Sequence, residues 1–116
     1  MIVDQPAPIA NDWPEVWPEV IEIARFAWSA RAPELPQILL DMAERDQLGR
    51  ARYGTPLQPH NGRDALVDLY QELLDAAAYA GQGLLENPGS GFWRDRLYLA
   101  LGELVLVRRE LDRRRP

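Results

Sequence analysis

Apolar residues return at helical spacing in four stretches of the chain, and nowhere do they alternate strictly over a run long enough for a strand. In the first stretch, Val16, Val20, Ile23, Ala24 and Ala27 form one stripe. Asp12 as cap, Pro14 near the first helical position and Glu15 three residues after the cap predict a helix running to about Arg31. A second helix is expected from about Pro36 to Tyr53, with Ile38, Leu39 and Met42 as its apolar residues and Gly54 as its stop. The segment "YGTPLQPHNG" has the prolines and glycines of an ordered surface loop. A third helix then spans about Arg63 to Glu86, ending at "NPGSG", and a fourth runs from about Phe92 to Arg113. The reading is an all-α, four-helix bundle-like fold: a mobile tail over residues 1–12, then a single domain over 13–116.

The fourth helix changes this picture. Leu97, Leu99, Leu101, Leu104, Val105, Leu106 and Val107 occupy nearly every side of it, so it is either central or shared with another subunit. Trp13, Trp17, Phe92 and Trp93 lie near predicted helix ends and favour the second option. A homodimer or homotetramer is therefore expected. The helix closes on "RRELDRRR", whose cations suit the negative end of its dipole.

Composition narrows the chemistry. A chain of 116 residues, 47% hydrophobic, can bury one core, and the absence of cysteine removes disulfides, thiolate metal sites and a cysteine nucleophile. The net charge of -5 argues against a nucleic-acid polymer as partner. All basic residues are arginine. The N-terminus lacks a signal-peptide pattern and no stretch approaches the roughly 20 apolar residues of a membrane span, so no membrane partner and a cytoplasmic location, in a bacterial or phage-infected bacterial cell, are expected.

The segment "DALVDLYQELLDAAAY", residues 64–79, carries the candidate chemistry. At about 100° per residue, Asp64, Asp68, Glu72 and Asp75 fall within an arc of roughly 80°, opposite Leu66, Leu69, Leu73 and Ala77. Like charges one helical turn apart cost about 0.2 to 0.5 kcal/mol per pair. The helix dipole offsets this only in the first turn, and Asp64 is expected to cap the helix there. Something must balance Glu72 and Asp75 if they are not simply a solvated face. A divalent cation is the simplest candidate, because carboxylates a turn apart can offer oxygens to one hard ion, and Asp68 is a further candidate ligand.

Together with the preceding loop and helix, this stretch resembles the MazG-like all-α nucleoside triphosphate pyrophosphohydrolases over about residues 38–83, and "GRARYGTPLQPHNGRDALVDLYQELLDAAAY" is similar to small phage-type members. In that family one helix carries an ExxE pair and a later helix an ExxD pair, which hold magnesium against a nucleotide. Glu72-Leu-Leu-Asp75 matches the second pair; Asp41-Met-Ala-Glu44 matches the first with Asp in place of Glu. The resemblance implies hydrolysis of a nucleoside triphosphate between the α- and β-phosphates. It implies Mg2+, with Mn2+ as a substitute, held by Asp41, Glu44, Asp68, Glu72 and Asp75, with Glu44, Glu72 and Asp75 as catalytic candidates.

Arg50, Arg52 and Arg63 are candidates for phosphate contact, since a guanidinium offers two parallel donors; ordinary surface arginine is the alternative. Tyr53 and Tyr79 are candidates for base stacking or for an interface, and His60 and Asn61 in the loop for nucleotide contact. Glu103 is expected to pair with Arg96 or to complete a metal site. The rival to an enzyme is a nucleotide-binding, sequestering protein on the same fold, and a third reading is a purely structural helical oligomer.

Overall fold

The computed structural model describes residues 4–28 and 31–114, and what was expected of the remaining positions lies outside them. Among the described residues there are four α-helices and no strand: α1 Val16–Trp28, α2 Leu35–Tyr53, α3 Ala65–Glu86 and α4 Gly91–Arg113. The chain divides into two compact units, one holding α1 and α2 and the other α3 and α4.

In the first unit α1 begins at Val16, later than Asp12 and Pro14 suggest. Asp12 is exposed, and the turn before the helix is made by Asn11, whose Oδ1 accepts from the Trp13 N–H at 2.8 Å. Pro18 then falls inside the first turn, where the missing N–H would have had no helical partner. The Val16 N–H donates outside the helix, to the Leu57 carbonyl at 2.9 Å. α1 packs on α2, and an open groove on this unit is lined by apolar residues, Val20, Ala24, Trp28, Leu35, Ile38 and Met42 among them. Its outer side leaves Phe26 92% exposed. α2 ends as expected: Gly54 takes the left-handed conformation, φ 72°, and its N–H reaches the Arg50 carbonyl at 2.8 Å.

In the second unit α3 and α4 pack along each other, joined by residues 87–90. Asp64 caps α3, accepting from the N–H groups of Leu66 at 3.0 Å and Val67 at 3.4 Å. Ser90 caps α4, accepting from the Trp93 N–H at 3.4 Å. The buried positions are small: Ala80 and Gly83 on α3, Ala100 and Val107 on α4. At Gly83 the missing side chain makes room for the indole of Trp93 from α4. Leu99, Leu101, Val105 and Leu106 on α4 and Leu85 on α3 are exposed.

No described helix is long and apolar enough to cross a membrane.

Candidate functional site

The acidic stripe of α3 separates into members with different roles. Asp64 is the cap, and its side chain also meets Arg114, with Arg114 Nη2 2.9 Å from Oδ2. The hydrogen bond from Arg114 holds the Asp64 carboxyl below the usual carboxylate range, aided by the N–H groups of Val67 and Leu66 and opposed by partial desolvation. Asp68 is half-buried in the first turn. Glu72 and Asp75 follow one turn apart, both exposed, and neither forms a hydrogen bond or ion pair among the described residues. Their mutual repulsion is therefore not relieved by any arginine among the described residues. That is the arrangement in which two carboxylates remain available to an outside cation.

On α2 the second acidic pair is also exposed. Asp41 accepts from Gln37 Nε2 at 3.0 Å, one turn back, while Glu44 has no partner among the described residues. Asp46 is bound by Arg50, whose Nε lies 3.0 Å from its Oδ1. Arg50 also pairs with Glu15, so its guanidinium is held by two carboxylates within the unit. Arg52 lies over the ring of Tyr53, 5.3 Å from its centroid. Tyr53 and, on α3, Tyr79 are exposed.

The loop between α2 and α3 is built by a polar clasp. Gln58, only 8% exposed, donates through Nε2 to the carbonyls of Asn11 and Trp13, both at 2.8 Å, and accepts from the Asn11 N–H at 3.1 Å. Asn11 Nδ2 donates in return to the carbonyls of Pro59 at 2.8 Å and His60 at 3.0 Å. Asn61 is buried; its carbonyl accepts from the Ile9 N–H at 2.8 Å and its Oδ1 from the Arg63 N–H at 3.1 Å. Arg63 Nη1 donates to the Pro6 carbonyl at 2.7 Å. Residues 5–13, read from sequence as largely a tail, thus run along the loop as a hydrogen-bonded strap. Gly62 takes φ 86°, a backbone conformation that L side chains rarely adopt.

Of the loop candidates, Asn61 and Arg63 spend polar atoms on this clasp. His60 gives only its backbone carbonyl to it: its ring is exposed and stands 4.5 Å from the ring of Trp13, the planes 45° apart. Sequence reasoning missed Asn11 and Gln58 because neither lies in a periodic segment and their bonds join positions far apart in the chain.

One expectation for α4 is corrected. Glu103 does not pair with Arg96, whose guanidinium lies over Phe92, 5.3 Å from the ring centroid. Seven residues along a helix is a rise of about 10 Å, too far for an ion pair along one face. Among the described residues no three His, Asp or Glu side chains come together as a metal group. The donor chemistry of Glu72 and Asp75 suits a hard divalent ion, but two carboxylates are an incomplete shell for it. No protein-family model, curated protein or solved structure matches this chain.

Proposed function

We propose that the protein is a magnesium-dependent nucleoside triphosphate pyrophosphohydrolase of the MazG-like all-α kind, converting a (d)NTP and water to the (d)NMP and pyrophosphate. The observation that carries this reading is the state of Glu72 and Asp75: two exposed carboxylates one turn apart on α3, without a basic partner among the described residues. They stand where the resemblance assigns the ExxD pair.

In this reading Glu72 and Asp75 hold the ion, with Asp68 beside them, and Asp41 and Glu44 are the first pair of the same chemistry. When bound, magnesium neutralises charge on a triphosphate that an acidic surface would otherwise repel. A carboxylate of this set not used as a ligand orients or deprotonates the attacking water. The exposed apolar side chains of α4 support a homo-oligomer as the working form.

The test is a screen of the common ribo- and deoxyribonucleoside triphosphates with Mg2+ or Mn2+, scoring monophosphate and pyrophosphate separately. Release of both in equal amounts is expected for at least one nucleotide. Tight magnesium-dependent binding without release would replace the enzyme by a sequestering protein. Neither binding nor release leaves the acidic stripe as a solvated helix face.

A further inference from the structure

The side of α4 turned away from α3 is patterned. Ala100 and Val107 are buried on the side that packs on α3, and at about 100° per residue Asp95, Tyr98, Leu99, Gly102, Leu106 and Arg109 fall on the opposite side, within an arc of roughly 100°. All six are exposed. Gly102 stands at the middle of this stripe with apolar side chains on either flank. A glycine inside a helix costs stability relative to alanine, and no other part of the described chain comes within 4 Å of where its Cβ would be. The room it leaves is not used by this copy of the chain.

The charges are disposed about the same point. Before it the helix carries Arg94, Asp95 and Arg96, and after it Arg109, Glu110 and Asp112. Turned end for end about Gly102, the helix places position 95 over position 109, so Asp95 meets an arginine. On one edge of the stripe Arg94 then faces Asp112, and on the other Arg96 faces Glu110. Parallel pairing would set each of these charges against its own kind. Within the chain Arg94 lies 3.7 Å from Asp95, Arg108 lies 3.0 Å from Asp112, and Arg113 pairs with Glu110. Those are exposed pairs along one helix, worth little and readily exchanged. Arg109 has no partner among the described residues.

We propose that α4 recognises itself: a second copy of this chain docks on the stripe antiparallel, about a two-fold axis beside Gly102, with Asp95 of each copy paired to Arg109 of the other. The occupant is a second copy because the pattern is complementary to its own reverse, which is what an isologous contact requires. Glycine at the axis lets the two backbones come close, and Leu99 and Leu106 close over the crossing. Glu103 and its copy meet at the rim beside the axis, where exposure screens them. The inference gives the homo-oligomer of the reading above a definite interface, rests on that part of it alone, and needs neither magnesium nor nucleotide.

The experiment is sedimentation equilibrium of the full-length protein without metal or nucleotide. Wild type is expected to dimerise in the micromolar range. Asp95→Arg and Arg109→Asp each bring like charges together and are expected to weaken self-association by about tenfold or more. An equimolar mixture of the two variants should recover it, because every remaining pair across the axis is then of opposite sign. Wild type that stays monomeric at tens of micromolar, single variants that associate as wild type does, or a mixture no tighter than its components each overturn the interface. Should a variant lose its helical circular dichroism, Gly102→Cys takes its place, since the chain has no cysteine of its own. Mild oxidation should link its copies much faster than those of Gln82→Cys, at an exposed position on α3; equal rates overturn the two-fold. A dimer of this kind in a protein that releases no pyrophosphate keeps the interface and loses the enzyme, and a monomer that releases it does the reverse.

Discussion

The indole of Trp93, at the start of α4, lies directly against the backbone of Gly83 on α3, so close that a Cβ placed on Gly83 would overlap the ring. Gly83 is buried, and its carbonyl also accepts from the Asn87 backbone and side-chain nitrogens, both at 3.0 Å, at the end of the helix.

Gly83→Ala is therefore expected to destabilise the protein. In an open helix interior the change would gain about 1 kcal/mol, but forcing a methyl into a filled contact costs typically about 1 to 3 kcal/mol. The overlap is with the ring's core rather than a flexible tip, so the cost should win. Urea titration should show a lower midpoint for Gly83→Ala, and the sign should reverse when the same change is made in a Trp93→Ala background. If Gly83→Ala stabilises both backgrounds alike, the contact is absent.

Asp64 links acid stability to the start of α3. Its folded pKa is depressed, chiefly by the Arg114 hydrogen bond, below the ordinary value near 4 that it has when unfolded. The folded state thus holds the ionised form more strongly, and this stability is fully present above the unfolded pKa and lost as pH falls through the folded pKa. Asp64→Ala should cost about 0.5 to 2 kcal/mol near neutrality. Arg114→Ala should cost less, because the pair is part-exposed and screened. Unfolding free energy measured from pH 6 down to pH 2 should fall less steeply in Asp64→Ala than in wild type; parallel curves would remove Asp64 from the acid transition.

The elements legible in the sequence were those set by near neighbours. Gly54 as a stop and Asp64 as a cap need only the adjacent turn, and α2, α3 and α4 begin or end within a residue or two of where those signals stand. The start of α1 was misplaced because Asp12 and Pro14 are good local signals overridden by a distant one, the bonds from Gln58 to the Asn11 and Trp13 carbonyls. The same divide runs through the candidate site. Periodicity alone put Glu72 and Asp75 on one polar face, whereas the engagement of Arg50 with Glu15 depends on α1 and α2 packing together. A count of residue types cannot show which arginines are already taken.

Self-association should be measurable. Leu99 and Leu106 on α4 are exposed side chains that cost free energy in water, and each buried leucine contributes about 1.5 to 3 kcal/mol. Light scattering at micromolar concentration is expected to give a dimer or larger species for wild type. The double variant Leu99→Glu with Leu106→Glu should shift this toward monomer while circular dichroism remains helical. A monomeric wild type that binds no hydrophobic dye would remove the assembly.

If Glu72 and Asp75 hold the proposed magnesium, stability and activity should move in opposite directions when either is changed. Without metal, the two carboxylates repel at helical spacing, so Glu72→Gln or Asp75→Asn should raise metal-free stability slightly, by about 0.2 to 0.5 kcal/mol. With metal the balance reverses, because an ion bound only by the folded chain stabilises it by about 2.7 kcal/mol at a hundred times its dissociation constant. Wild type should therefore melt higher with MgCl2 than with NaCl of equal ionic strength, and either variant should lose that difference together with pyrophosphate release. Asp64→Ala, which removes a cap and leaves the pair intact, should lower the melting temperature yet keep both the magnesium shift and most turnover. An equal rise with NaCl would assign the effect to screening, and Glu72→Gln turning over nucleotide at the wild-type rate would place the chemistry elsewhere on the chain.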